Sequence, residues 1–238
     1  MTKKQKAERL LELAQAAGFT SLTEPEHEML SAAAQGSEAD CGEPITDPLT
    51  WEELPRTENE LAKIRQLKAE LLQAWRKGHL PSAEKRQVPP EVEKSIQKLL
   101  ATELPQPAKL AELRREKEDL QRRLEEKPAI RVELLRWICV TNEAKELVDP
   151  MGVQVRGARF DGAINLAFAD VPFPLALFRC AVPKGLDFTD ARLVALNLQG
   201  SSVGGISADG VEVKGSMFLR DGFCSRGEVS LLGAQIGG

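Results

Sequence analysis

The chain has 238 residues, with 32 Lys and Arg against 36 Asp and Glu and a net charge of −4. That balance excludes a generally basic nucleic-acid binder. A content of 42% hydrophobic and 29% charged residues excludes global disorder and leaves room for a buried core in one large or two small domains.

Residues 1–148 are rich in Glu, Lys, Leu, Gln and Ala and poor in Gly, which predicts a helical region. A first helix near 4–16 gathers Leu10, Leu11, Leu13 and Ala14 on one side, and Gly18 offers a stop. Thr23-Glu24-Pro25-Glu26 is a capping box with Pro in the first turn, opening a helix over 24–34 that Gly36 ends. Residues 37–56, with Gly42, Pro44, Pro48 and Pro55 and no period, read as a loop. Over 58–77 the apolar residues Leu61, Ile64, Leu71 and Trp75 follow heptad steps, with Lys68 in the middle slot. Over 108–127 Leu110, Leu113, Leu120 and Leu124 repeat the pattern around Lys117. The two predict an antiparallel helical hairpin with a short coiled-coil seam, with a shorter helix over 91–101 between them. A helix over 130–147, carrying Leu134, Leu135, Trp137, Ile138, Val140 and Leu147, has an apolar stripe wide enough to cap the open end of a following domain.

The character changes at Asp149-Pro150. Residues 151–238 are rich in Gly and β-branched residues. Every fifth residue from Phe188 is apolar: Leu193, Leu198, Val203, Ala208, Val213, Phe218, Phe223. At this composition eight in a row arises by chance roughly once in a thousand for a given register. The residues two places earlier, Leu186, Ala191, Leu196, Ser201, Ile206, Val211 and Ser216, are small or aliphatic. Five matches neither the helical nor the strand period. It suits a chain that turns a corner after each five residues, so that four sides close a coil of about 20 residues and coils stack about 4.8 Å apart as parallel strands. Leu193 is then expected over Val213, Leu198 over Phe218 and Val203 over Phe223. Val153/Val155, Ala158/Phe160 and Ile164/Leu166 read as further inward pairs. A bulge is expected at Val171-Pro172-Phe173-Pro174 and a register slip between Phe223 and Val229.

This pattern resembles the pentapeptide-repeat class of right-handed quadrilateral β-helices, in a degenerate form in which Ala191-Arg192-Leu193 comes nearest the usual unit. Glu133-Leu134-Leu135-Arg136-Trp137, Gly157-Ala158-Arg159-Phe160, Val171-Pro172-Phe173-Pro174-Leu175 and Gly233-Ala234-Gln235-Ile236 are similar to stretches in a group of bacterial proteins of unestablished function, some of them labelled membrane-associated oxidoreductases. The resemblance spans about residues 130–238 and implies the fold. The chain carries no cofactor motif that would support the label, and its longest apolar stretch, Val171 to Val182, is interrupted by Pro172, Pro174 and Arg179 and is too short to span a bilayer.

Motifs for chemistry are sparse. Gly200-Ser201-Ser202-Val203-Gly204 has the GxSxG spacing, but Ser201 falls on the inward series and the two histidines, His27 and His79, lie upstream in helical or loop contexts. Cys41, Cys139, Cys180 and Cys224 lack the spacing of a disulfide framework or a zinc site and read as free, buried thiols. Asp161, Asp187, Asp190 and Asp209 with Arg159, Arg179, Arg192 and Arg220 are the candidates for a polysaccharide site on an outer face, weighed against a simpler role as solubilising charges. Residues 151–238 hold eight basic and eight acidic side chains, a balance that argues against imitation of DNA.

The expected fold is therefore α+β, an N-terminal helical region (1–148) with a helical hairpin followed by a short right-handed parallel β-helix (151–238). Its last coil, at Gly233-Ala234-Gln235-Ile236-Gly237-Gly238, looks like the start of another coil with no cap. The chain either continues or is covered by a second copy. The expected role is a non-enzymatic protein-interaction scaffold. It would have no catalytic residues, metal or cofactor, work in the cytoplasm away from nucleic acid and membrane, and bind a protein partner or itself through the C-terminal coil. The competing role is a β-helix enzyme or ligand-binding protein acting on an extended polymer. A concave groove holding two or more of the aspartates near an arginine would favour that alternative.

Overall fold

The computed structural model describes residues 1–42, 66 and 107–237. The predicted helices at 58–77, apart from Gln66, and at 91–101 lie outside the described residues, and so does the pairing of 58–77 with 108–127 in a hairpin. The chain divides into two units, Met1–Glu52 with Asp119–Gly238, and Glu53–Glu118. Across the boundary in sequence runs the helix α3, Pro107–Glu126, which matches the expected 108–127. Its seam residues Leu110 and Leu124 are buried, and Leu113 and Leu120 half-buried.

In the first unit the helices begin and end where their local chemistry dictates. Thr2 and Gln5 form a reciprocal cap on α1, Lys3–Ala16. Thr23 and Glu26 do the same for α2, Glu24–Gln35, whose C-terminal Gly36 takes the left-handed conformation at φ 72°. The two helices pack on each other through Leu10, Ala14, Leu30 and Ala33.

Beyond them the chain forms a parallel β-solenoid of four coils. Coil one is β3 Val153–Arg156, β4 Arg159–Phe160, β5 Ile164–Asn165 and β6 Asp170–Val171. Coil two is β7 Leu175–Phe178, β8 Ala181–Val182, β9 Leu186–Asp187 and β10 Arg192–Leu193. Coil three is β11 Leu196–Asn197, β12 Ser202–Val203, β13 Ile206–Ser207 and β14 Glu212–Val213. Coil four is β15 Met217–Phe218, β16 Cys224–Ser225, β17 Val229–Ser230 and β18 Gln235–Ile236. Strands in the same place in each coil stack as four parallel sheets, the four sides of the column.

Leu193 lies opposite Val213, as expected. The predicted inward pairs Val153/Val155, Ala158/Phe160 and Ile164/Leu166 are all buried. Two predicted stackings are corrected. One extra residue enters the corner before β15, so Asn197, not Leu198, faces Phe218. Phe218 consequently points outward, where the Arg220 guanidinium lies 4.6 Å from its ring centre. A further extra residue before β16 sets Val203 against Ser225 instead of Phe223. Gln235-Ile236 is likewise not the start of another coil but the fourth side of coil four, opposite Glu212-Val213.

Two short strands were missed by periodicity. Ala39–Asp40, within the stretch expected to be loop, forms β1 and pairs with Val155–Arg156 on the first side. Ala129–Ile130 forms β2 and pairs with Arg159–Phe160 on the second side. They make half a coil above coil one. The expected helix over 130–147 starts two residues later and breaks at the extended Thr141 into α4, Val132–Val140, and α5, Asn142–Lys145. α4 packs on β5 and β6 and takes the place of the third and fourth sides of that half coil. With α2 against β1, β2 and β3, the helices close this end of the column. One continuous apolar core runs from Leu10 and Leu30 through Phe160 and Phe188 to Val213.

Candidate functional site

The structure spreads the predicted charges over the second, third and fourth sides and the corners. Arg159 is on the second side, Arg179 at a corner with φ 48°, and Asp190 at another with φ 51°. Arg192 pairs with Glu212 at 3.2 Å on the fourth side, and Arg220 lies 3.6 Å from Asp221. Asp161 accepts from the backbone N–H of Val132 at 3.2 Å and so fixes the start of α4. Asp187 and Asp209 line one surface, on the third side, and the Asp190 backbone N–H donates to Asp209 O at 2.9 Å at the corner beside it.

There the surface is concave. Gly185, Gly204 and Gly205 stack at the corner between the second and third sides, and the missing side chains leave an open groove of about 580 Å³. A Cβ on Gly204 would lie 2.2 Å from the Pro183 carbonyl oxygen, so the close stacking of coils imposes glycine at that point. Lys184 in coil two and Glu228 in coil four flank the glycines along the column, and Asp187, Ser207, Asp209 and Ser230 line the adjoining strands. Thr189 donates through its backbone N–H and hydroxyl to Asp187 Oδ1 at 3.0 and 2.7 Å, and its hydroxyl lies 3.1 Å from Ser207 Oγ. Asp209 Oδ1 accepts from Ser230 Oγ and from the Leu232 N–H. The groove holds two aspartates, as a polymer site would require, but its lining cation is Lys184 and no arginine lines it.

Other candidate chemistry is occupied or inaccessible. Ser201 is fully buried, donates to Leu177 O at 2.7 Å and accepts from Cys180 N–H at 2.9 Å. It ties two coils together at a corner, and among the described residues no histidine pairs with it. His27 is exposed on α2, and His79 lies outside the described residues. All four cysteines are free. Burial pushes the thiols of Cys139 and Cys180 up to about 12 and that of Cys41 up to about 11, which keeps them protonated and poor nucleophiles at neutral pH. Among the described residues no three His, Cys, Asp or Glu side chains gather as a metal site would need, and no helix is long and apolar enough to cross a membrane.

The other surface of note is the end of coil four. Its inward residues Val229, Leu231 and Ile236 are 36%, 38% and 45% exposed, whereas their counterparts one coil earlier, Ile206, Ala208 and Val213, are at most 3% exposed. Sequence reading did not anticipate the groove. Stacking Asp187 on Ser207 at a step of 20 would have placed them on one side; the glycine corner that makes the side concave has no periodic signature.

No family model, no curated protein and no solved structure matches the chain.

Proposed function

We propose that this protein is a non-catalytic interaction scaffold, a rigid column of the right-handed, pentapeptide-repeat type whose outer faces are its contact surface. The observation that carries the reading is the column itself: four stacked parallel sheets around one continuous apolar core, with the candidate charges dispersed over its outer sides and corners. A stack of this kind holds its outer faces rigidly in place and offers them as an extended binding surface. Free thiols suit a reducing cytoplasm, and the equal numbers of acidic and basic side chains in the solenoid favour a protein partner over nucleic acid.

The groove favours a second reading. Its carboxylates and hydroxyls beside Lys184 have the chemistry to bind an extended polyhydroxylated polymer. One experiment separates the two. The protein is mixed with hexose and hexuronate oligosaccharides, then assayed for new reducing ends and by amide NMR of Asp187, Ser207 and Asp209. Unchanged spectra and no new ends support the scaffold. Shifts confined to those amides, or cleavage, overturn it in favour of the polymer site.

A further inference from the structure

This inference rests on the scaffold reading and names the chemistry of the partner. We infer that the groove on the third side receives an extended, lysine-bearing segment of a partner protein, laid along the column. The residues that directly precede β5, β9 and β13 are Ala163, Gly185 and Gly205, so they hold the same place in coils one, two and three. All three line the groove, and none carries a side chain larger than a methyl group. They form a trough parallel to the column axis, about 10 Å long over two steps of about 4.8 Å. At about 3.3 Å per residue it takes about three residues of extended chain. Lys184 stands on one edge of the trough, and Asp187 and Ser207 stand on the other. Glu228, which precedes β17, holds the next place and closes the trough with a carboxylate.

The charge of the lining selects a cation. Three carboxylates, Asp187, Asp209 and Glu228, face one ammonium, Lys184, although the solenoid as a whole carries equal numbers of acidic and basic side chains. Elsewhere on the column opposite charges pair, Arg192 with Glu212 and Arg220 with Asp221. Among the described residues Asp187, Asp209 and Glu228 form no ion pair. Both aspartates are nevertheless fixed. Oδ1 of Asp187 accepts twice from Thr189, and Oδ1 of Asp209 accepts from Ser230 Oγ and the Leu232 N–H. Oδ2 of each is left for a ligand. The hydroxyls that would read a sugar are engaged, Ser207 with Thr189 and Ser230 with Asp209, and the lining residues include no aromatic ring for a sugar to stack on. A lysine meets what is left: its aliphatic stem lies over the bare trough and its ammonium reaches the carboxylates. Asp187 and Asp209 belong to coils two and three, which have a coil on either side of them.

The test is an amide NMR titration of the full chain with a capped peptide of alternating alanine and lysine, about eight residues long. Saturable shifts confined to Gly185, Asp187, Gly205 and Asp209 are expected, with a dissociation constant between about 0.1 and about 1 mM at low salt. Exposed ion pairs are screened, so raising the ionic strength from about 0.02 to about 0.2 M should weaken binding at least about threefold. Asp187→Asn combined with Asp209→Asn keeps an Oδ1 acceptor at each position and removes both charges; it should weaken binding at least about fivefold. Lys184→Glu removes the one repelling charge and should tighten binding about twofold or more. Should the asparagine pair misfold, Lys184→Glu and the salt series on the unmodified chain answer the same question. No saturable shift, equal shifts from the same peptide with glutamate in place of lysine, or binding indifferent to salt and to these variants overturns the lysine-bearing segment. The scaffold reading then stands or falls separately, on the oligosaccharide experiment.

Discussion

Glu26 is the one fully buried carboxylate among the described residues, and removing it should loosen the closed end of the column. Its Oε2 accepts from Thr23 N–H at 2.9 Å and from Arg131 Nη2 at 2.8 Å; its Oε1 accepts from Arg131 N–H at 2.9 Å and Nε at 2.7 Å. One side chain thus caps α2 and anchors the residue that joins β2 to α4. Burial by itself raises the carboxyl pKa, but the donations from Arg131 and from two backbone N–H groups outweigh it, and the pKa is lowered. Glu26→Ala leaves two backbone donors without their acceptor, at about 1 kcal/mol or more each where water cannot reach them. Breaking a buried pair costs about 3–5 kcal/mol. Arg131 is 32% exposed and keeps Ser21 O at 3.0 Å and the Phe19 ring at 5.3 Å, so its charge is partly resolvated and the lower end applies. The expected loss is about 3 kcal/mol in urea unfolding, followed by circular dichroism and by hydrogen exchange of the coil-one amides. Because the folded carboxyl titrates below its unfolded value near 4.3, its contribution is present above that pH and disappears as pH falls through the folded value. Glu26→Gln should lack that acid-dependent component. A loss below about 1 kcal/mol, or an acid profile shared by wild type and Glu26→Gln, would refute the reasoning.

Three further outcomes are expected. Asp40 and Ala129 stand opposite Arg156 and Arg159, which Gly157-Ala158 join, so replacing residues 41–128 by Gly-Ala should restore a normal corner; loss of cooperative thermal unfolding would contradict this. Leu193→Ala empties a site stacked between Val171 and Val213 and should cost about 3 kcal/mol, while Ile236→Ala in the open layer should cost less than about 1, as compared by urea midpoints. Iodoacetamide at pH 8 should leave Cys139 and Cys180 unlabelled until the protein unfolds; rapid native labelling of either, seen by peptide mass spectrometry, would show that burial does not hold their thiols protonated.

The column was legible because its interior repeats. Phe188, Leu193, Leu198, Val203, Ala208 and Val213 obey one rule of placement, and each is at most 2% exposed. The sides are not equal, however. The step from β9 to β10 is six residues and that from β10 to β11 is four, so a period of five survives as an average over side and corner. Where an extra residue enters, before β15 and again before β16, the average no longer predicts the partner, and Phe218 turns from core to surface. The capping helices were legible for a different reason: Thr23, Glu26 and Gly36 announce their termini locally. β1 and β2 were not, since two residues carry no period and their pairing depends on residues more than 100 and about 30 positions away.

The same division explains why the candidate surfaces were read unequally. An inward position is constrained by the layers above and below it, so the inward residues of coil four, Phe223, Val229, Leu231 and Ile236, keep the apolar character of the coils before them. An outward position is constrained only by solubility. Asp187, Ser207 and Asp209 look like any surface residues until the stacked Gly185 and Gly205 hollow the side beneath them. The helical end shows how this chain treats a layer that faces no other coil, covering it with α2 and α4 and locking the cover through Glu26 and Arg131.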